Sequence, residues 1–165
     1  MINVSDEFKQ LMTERQDFKC NAEVTLANGT VLPLGEDDFS IDNNSLVDAA
    51  GANTIPLGVA LSRNVQLEIM NDDDHLSNYD FFGAKIRLYL TFELSETTEK
   101  IEYGTFTVTQ PETYGSVVTI VGYDDMYKAD KAYSTALTFP ATAKSVLIDS
   151  CDTCGILIGD SNFLH

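Results

Sequence analysis

An acidic cluster in the middle of the chain contains the residue types that bind hard metal ions. Residues 71–75 read Asn-Asp-Asp-Asp-His, and Asp80 follows a few positions later. Ca²⁺ prefers several carboxylate and carbonyl oxygens on a flexible loop, so Asp72, Asp74 and Asp80 are the candidate ligands. The spacing departs from an EF-hand, because the ligand and the glycine that should follow Asp74 are missing. A solvated turn is the simpler interpretation, and we assign no metal or cofactor.

The pair Cys151 and Cys154 has a spacing shared by metal-binding and redox motifs. A structural zinc site needs four ligands, and Cys20, His75 and His165 are scattered along the chain. A redox role requires the pair at a helix N-terminus. Here the pair falls at the end of a predicted helix, where the helix dipole disfavours a thiolate. Two partly buried free thiols are therefore the favoured interpretation.

Recognisable catalytic motifs are absent from the sequence. Neither histidine lies in a nucleophile motif, and no GxSxG or HExxH pattern occurs. Asp124 and Asp125 are adjacent, so we do not expect them to converge on one bond as an acid–base pair. Glycine-rich phosphate loops are also missing. The sequence predicts a protein that is not an enzyme.

Composition indicates an acidic folded protein. The 165 residues include 26 acidic and 10 basic ones, for a formal net charge of −16, and 44% are hydrophobic. That apolar content suffices for a core, while the charge repels nucleic acid and anionic membranes. No apolar run approaches a membrane span, and no export signal is visible in the sequence. Three cysteines argue against a disulfide framework, which indicates synthesis in the cytoplasm.

The first third of the chain predicts a helix and a hairpin. An amphipathic helix is expected over residues 5–19, with Ser5 as its N-cap and apolar residues at helical spacing. A β-hairpin is expected over residues 22–34, because Asn28-Gly29 accepts the positive φ angles of a tight turn. A polar stretch with a short strand at 39–41 follows.

Strand patterns dominate the middle of the chain. Residues 65–70, 85–94 and 101–109 alternate between apolar and polar side chains, and residues 116–121 form a β-branched run. Together with the hairpin these segments predict five to seven strands. The fold class is mainly β with a few helices, as an antiparallel sheet that is closed or sandwiched.

Two short helices and an apolar segment are predicted towards the C-terminus. The helices are expected over residues 123–131 and 142–154, with Gly155 as the stop of the second. Residues 156–158 then read as the start of a new strand. We expect a first domain over residues 1–139 and the beginning of a second, truncated domain over residues 140–165.

Three stretches carry a resemblance to a known family. They are LGVALSRNVQLEI at 57–69, YGTFTV at 103–108, and the run from VGYDDM at 121–126 through the proline at 140 to the helix ending near Gly155. In order and spacing they resemble the N-terminal part of phage and prophage baseplate hub proteins, of the tail-associated or tail-lysin class. The resemblance covers most of the chain from Ser5 onwards.

The resemblance implies a virion structural protein with a tail-tube-type β-barrel or sandwich, an N-terminal helix and short C-terminal helices. It implies a homotrimer of the full-length protein at the tail tip, which contacts other tail and baseplate proteins and passes DNA as cargo. We hypothesise that acidic residues line this channel, because like-charged walls keep DNA from sticking. The candidates are Asp72, Asp73, Asp74, Glu93 and Glu96.

Two other functions stay open. The acidic cluster is compatible with a calcium-dependent β-sandwich module that binds carbohydrate. The chain is also compatible with the non-catalytic lead-in of a phage tail peptidase, whose catalytic residues would follow His165. A calcium-induced rise in melting temperature that is lost on Asp72→Ala would favour the first of these alternatives.

Overall fold

A computed structural model describes residues 4–11, 13, 18–47, 62–94, 97–110, 114–132 and 134–158. Seven strands and two α-helices lie within these residues, with three 3₁₀ turns at Glu36–Asp38, His75–Asn78 and Asp125–Ala129. The bounds are α1 Asp6–Leu11, β1 Lys19–Thr25, β2 Val31–Leu34, β3 Ser45–Val47, β4 Asn64–Met70, β5 Lys85–Glu93, β6 Thr98–Val108, β7 Val117–Tyr123 and α2 Ala143–Cys154.

The seven strands form one antiparallel sheet in the order β2-β1-β5-β6-β7-β4-β3. The predicted mainly β, antiparallel fold class is thereby confirmed. β6 and β7 share only the pairs Thr107–Tyr123 and Val108–Gly122, so the sheet consists of half-sheet β2-β1-β5-β6 and half-sheet β7-β4-β3. Within the described residues the edge strands β2 and β3 do not pair with each other, and closure into a barrel stays a prediction.

One core receives the apolar faces of both half-sheets. Alternate residues of β4 and β7 are buried, as are those of β1 and β5, because strand side chains alternate between faces. Phe81, from the connection between β4 and β5, and Phe106 on β6 are the largest fully buried side chains. At the junction of the half-sheets a Cβ on Gly122 would lie 3.2 Å from the Cβ of Phe106. Glycine at this position therefore favours the close approach of β6 to β7, because a side chain would push its neighbours apart.

A second, smaller cluster lies where α1 meets the far end of β5 and β6. Phe8 packs edge-on against Phe92 with ring centroids 4.7 Å apart, and Ile101 completes the cluster. Ser5 caps the helix as predicted, since its Oγ accepts a hydrogen bond from the backbone N–H of Phe8 at 3.1 Å. The same residue donates from its backbone N and its Oγ to the carboxylate of Glu99, at 3.0 and 2.6 Å, and so ties α1 to β6.

The hairpin and the last helix agree with their predictions. Gly29 takes a φ of 86° in the turn between β1 and β2. Thr142 caps α2, because its side chain accepts from the backbone N–H of Ser145, and Gly155 ends α2 in the left-handed region. The contacts of α2 do not decide whether a second domain begins at residue 140, which stays a prediction.

Four local predictions are wrong. The helix expected over residues 5–19 ends at Leu11, and β1 begins at Lys19 because these residues join the ladder with β5. The helix expected over 123–131 is a 3₁₀ turn that follows the last residue of β7. Residues 156–158 are not a strand, since no described strand pairs with them, and the strand expected at 39–41 is a single bridge between Phe39 and Ile69.

Candidate assembly surface

The acidic loop after β4 is held in place by Asn71, a buried polar residue that is 2% exposed. Its side-chain Oδ1 accepts from the backbone N–H of Leu76 at 2.8 Å, and its Nδ2 donates to the carbonyl of Gly115 at 2.9 Å. Its backbone N–H donates to the carbonyl of Ser116 at 2.8 Å. These bonds fix the loop against the segment that leads into β7, so the loop has a defined shape.

The acidic side chains of this loop make local hydrogen bonds with their neighbours. Asp73 shares a hydrogen bond with His75, which lowers the pKa of the Asp73 carboxyl. Asp74 lies in the left-handed region and accepts from the hydroxyl of Ser77. Asp80 accepts from a backbone N–H two residues later. Among the described residues no three Asp, Glu, His or Cys side chains converge as a metal site, so Asp72, Asp74 and Asp80 are not brought together there.

The candidate channel residues fall into two separate places. Asp72, Asp73 and Asp74 are exposed on the loop between β4 and β5, whereas Glu93 ends β5. The Nζ of Lys19 donates to Glu93 at 2.6 Å, and this bond lowers the pKa of Glu93 and raises the pKa of Lys19. The charge of Glu93 is thus locally balanced. Glu96 lies outside the described residues.

Half-sheet β2-β1-β5-β6 has a polar face, formed by the side chains of β1, β5 and β6 that point away from the core. The register of β1, β5 and β6 identifies the side chains of this face, because residues directly opposite on neighbouring strands lie on the same side of a sheet. Four basic side chains lie on this polar face against three acidic ones, one positive charge in excess. They are Lys19, Lys85, Arg87 and Lys100, with Glu23, Glu93 and Glu102. The face is close to neutral in a chain whose net charge is −16.

A bulge marks the middle of β6. Leu88 pairs with Gly104 and Tyr89 with Glu102, so Tyr103 is the extra residue. The guanidinium of Arg63 donates to the carbonyl of Tyr103 at 2.8 Å and lies 5.6 Å from its ring centroid. Arg63, the residue before β4, therefore occupies the β6 edge at Tyr103.

The pair Cys151 and Cys154 lies on α2 beside a cavity of about 320 Å³ between α2 and the 3₁₀ turn Asp125–Ala129. Both thiols are free and half-buried, as is Cys20, whose pKa is raised by burial. The Nζ of Lys131 donates to the carbonyl of Thr153 at 2.8 Å and links the turn to the helix. The geometry fits the interpretation of two partly buried thiols.

Asp124 is the N-cap of the 3₁₀ turn that follows β7. Its Oδ1 accepts from the backbone N–H of Met126 at 3.1 Å and from the hydroxyl of Ser62 at 3.0 Å. Asp125 lies 2.6 Å from the Nζ of Lys128 and 4.0 Å from that of Lys85. The two aspartates thus have different partners, which supports a structural role for each.

Sequence reasoning missed the feature of this surface that depends on long-range pairing. Arg63 meets β6 only because β4 and β7 pair beside the end of β6, and no local pattern encodes that approach. The Gly104 in YGTFTV was a usable signal, since an isolated glycine inside a strand pattern indicates a bulge.

Comparisons with known proteins place the fold. No family model and no curated protein matches the sequence. Among solved structures, the chain is similar to a component of the virion of a native gene transfer agent particle, with a TM-score of 0.54 and 10% identity. The match covers 86% of this chain and 53% of that protein, so the chain spans about half of its length. No described helix is long and apolar enough to cross a membrane. The likeness shows that this fold occurs in a virion component.

Proposed function

We propose that the chain is a non-enzymatic structural component of a phage-type particle. The observation that carries the proposal is the likeness to a gene transfer agent virion component over 86% of the chain. The surface is compatible with this role, because Asp124, Asp125 and the acidic loop have structural partners. Synthesis in the bacterial cytoplasm and assembly into the virion follow from the proposal.

At a finer level we place the chain in the baseplate hub at the tail tip. There three copies of the full-length protein would join the tail tube to a threefold tip and contact other tail and baseplate proteins. The support is the resemblance carried by residues 57–69, 103–108 and 121–155.

Labelling of purified particles tests the location. Particles that carry an epitope on this chain are decorated with gold-labelled antibody and imaged by negative-stain electron microscopy. A hub component should place label at one end of the tail only. Label along the whole tail would instead indicate a tube subunit, and label on the head, or none on intact or detergent-opened particles, would contradict the proposal.

The channel hypothesis rests on the exposed carboxylates of the acidic loop. If Asp72 and Asp74 line a channel, Asp72→Asn/Asp74→Asn should slow DNA release from triggered particles and increase DNA retained in emptied tails, because fewer like charges repel the passing polyanion. Asparagine suits the left-handed backbone of Asp74. The matched control is Glu36→Gln/Asp37→Asn, which removes two exposed acidic charges elsewhere. Equal effects of both variants would contradict the hypothesis.

A further inference from the structure

No described strand pairs with the outer edge of β6 over residues 98–102. β6 pairs with β5 from Thr98 to Thr107 but with β7 only at its last two residues. At the tip of this hairpin the backbone N–H of Leu94 donates to the carbonyl of Thr97 at 2.8 Å. Because bonded and non-bonded pairs alternate along an antiparallel ladder, Thr98, Lys100 and Glu102 direct their N–H and C=O groups away from β5.

These outward groups are accessible. Thr98, Lys100 and Glu102 are all exposed, and no main-chain hydrogen bond from another described element reaches them. The edge is bounded on one side by the hairpin tip and on the other by the guanidinium of Arg63 on Tyr103. Six main-chain groups that no described strand pairs with favour the addition of a strand.

The opposite edge of the same half-sheet is β2, and its outward groups follow from the same alternation. The backbone N–H of Leu26 donates to the carbonyl of Thr30 at 2.8 Å, so Val31 and Pro33 direct their main-chain groups away from β1. Pro33 has no N–H, and it lies at a position where the pairing with β1 requires no N–H donor from β2. Val31 is 49% exposed. The β2 edge therefore presents one N–H and two C=O groups.

Strand direction makes the two edges compatible. Each neighbouring pair in β2-β1-β5-β6 is antiparallel, so β2 and β6 run in opposite directions. β2 of a copy in the same orientation would lie antiparallel to β6. We propose that the outer edge of β6 pairs with β2 of a second copy of this chain, with Lys100 opposite Val31 and Thr98 opposite Pro33. Three main-chain hydrogen bonds form in this register, and the half-sheet continues from copy to copy.

The charge balance of the polar face is compatible with this contact between copies. Two chains that each carry −16 repel one another, so they approach best where the local charge is balanced. The polar face beside the β6 edge has one positive charge in excess, and Lys100 lies there with its Nζ 4.7 Å from the ring centroid of Tyr89. The partner strand β2 adds the apolar Val31 and Pro33, and the acidic turn Glu36–Asp38 that follows it lies beyond the paired residues. The inference rests on the proposed function in one respect, since the proposed hub contains three copies of the chain.

The test compares Lys100→Pro with Lys100→Ala in the full chain. Proline removes the outward N–H and leaves the β5 ladder intact, whereas alanine keeps the N–H and removes the charge. Association is measured by sedimentation velocity from micromolar to millimolar concentration, and folding by circular dichroism. We expect wild type and Lys100→Ala to associate with affinities within about threefold of each other, and Lys100→Pro to associate at least about tenfold more weakly.

An independent variant covers the partner edge. Val31→Pro removes the outward N–H of β2 and should weaken association as Lys100→Pro does, so the test stands if one variant fails to fold. In hydrogen exchange, the peptide that covers residues 98–102 should become protected on association. Association of wild type that both folded proline variants leave unchanged would overturn the edge pairing, and so would a wild type that stays monomeric at millimolar concentration. Neither result affects the gold-labelling test, so failure of the pairing and failure of the proposed function are distinguishable.

Discussion

Replacement of Asn71 by alanine should destabilise the protein by about 2–4 kcal/mol. The side chain is 2% exposed and makes hydrogen bonds of 2.8 and 2.9 Å to Leu76 N and Gly115 O. Leu76 is itself buried, so its N–H would lose its partner away from water, at a cost of about 1–3 kcal/mol. The bond to Gly115 adds about 1 kcal/mol, because that exposed carbonyl can bind water instead.

Urea unfolding followed by far-ultraviolet circular dichroism measures this loss. With a slope of about 2 kcal/mol per molar urea, the transition midpoint should fall by about 1–2 M in Asn71→Ala. Asp72→Ala is the matched control, since the neighbouring side chain is exposed and its removal should change stability by less than about 0.5 kcal/mol. A change below about 0.5 kcal/mol in Asn71→Ala would refute the reasoning that this residue holds the acidic loop.

Three further perturbations test other parts of the fold. Gly122→Ala should cost about 1–3 kcal/mol in thermal unfolding, because its Cβ would lie 3.2–3.3 Å from core atoms, whereas Gly115→Ala, with no such contact, should cost less. Thr142→Ala should cost about 1 kcal/mol through the lost cap of α2, and Thr142→Ser should restore it. The depressed pKa of Glu93 contributes stability that is present above the unfolded-state pKa and lost as pH falls through the folded-state pKa. Lys19→Met should therefore raise the Glu93 pKa in a carboxyl NMR titration. The same variant should lose less unfolding free energy than wild type as the pH is lowered.

Local pattern was sufficient for the longer strands and their faces, but it did not predict β3 at Ser45–Val47. Val65 and Ile69 alternate with polar residues and are buried, as their spacing predicts. The hairpin followed from Asn28-Gly29 for the same kind of reason, since the turn needs a positive φ. From Lys19 onwards the chain forms a strand because it pairs with β5, and this pairing outweighs the local helical pattern. The local sequence pattern does not show this long-range pairing.

The candidate site was harder to predict because it depends on which edges remain open. The alternation in YGTFTV predicts a strand, but it does not state that β7 leaves β6 after two residue pairs. That divergence exposes residues 98–102 and brings Arg63 to the bulge at Tyr103. Pro33 alone suggests a strand that resists pairing. In the structure its main-chain groups point away from β1, so its carbonyl can accept a hydrogen bond from an added strand although it has no N–H to donate.

The structure shows that the charges behind the net charge of −16 are unevenly distributed over the surface. Four of the ten basic residues lie on the polar face of β1, β5 and β6, where Lys19 pairs with Glu93 and Arg87 lies 3.7–3.8 Å from Glu23 and Glu102. The acidic excess is left to other surfaces, the loop after β4 among them. We expect less repulsion between copies at the polar face of the half-sheet than at such loops, which is compatible with the proposed contact between the edges of β6 and β2. An acidic composition is therefore compatible with the proposed assembly, because the acidic residues are not spread evenly over the surface.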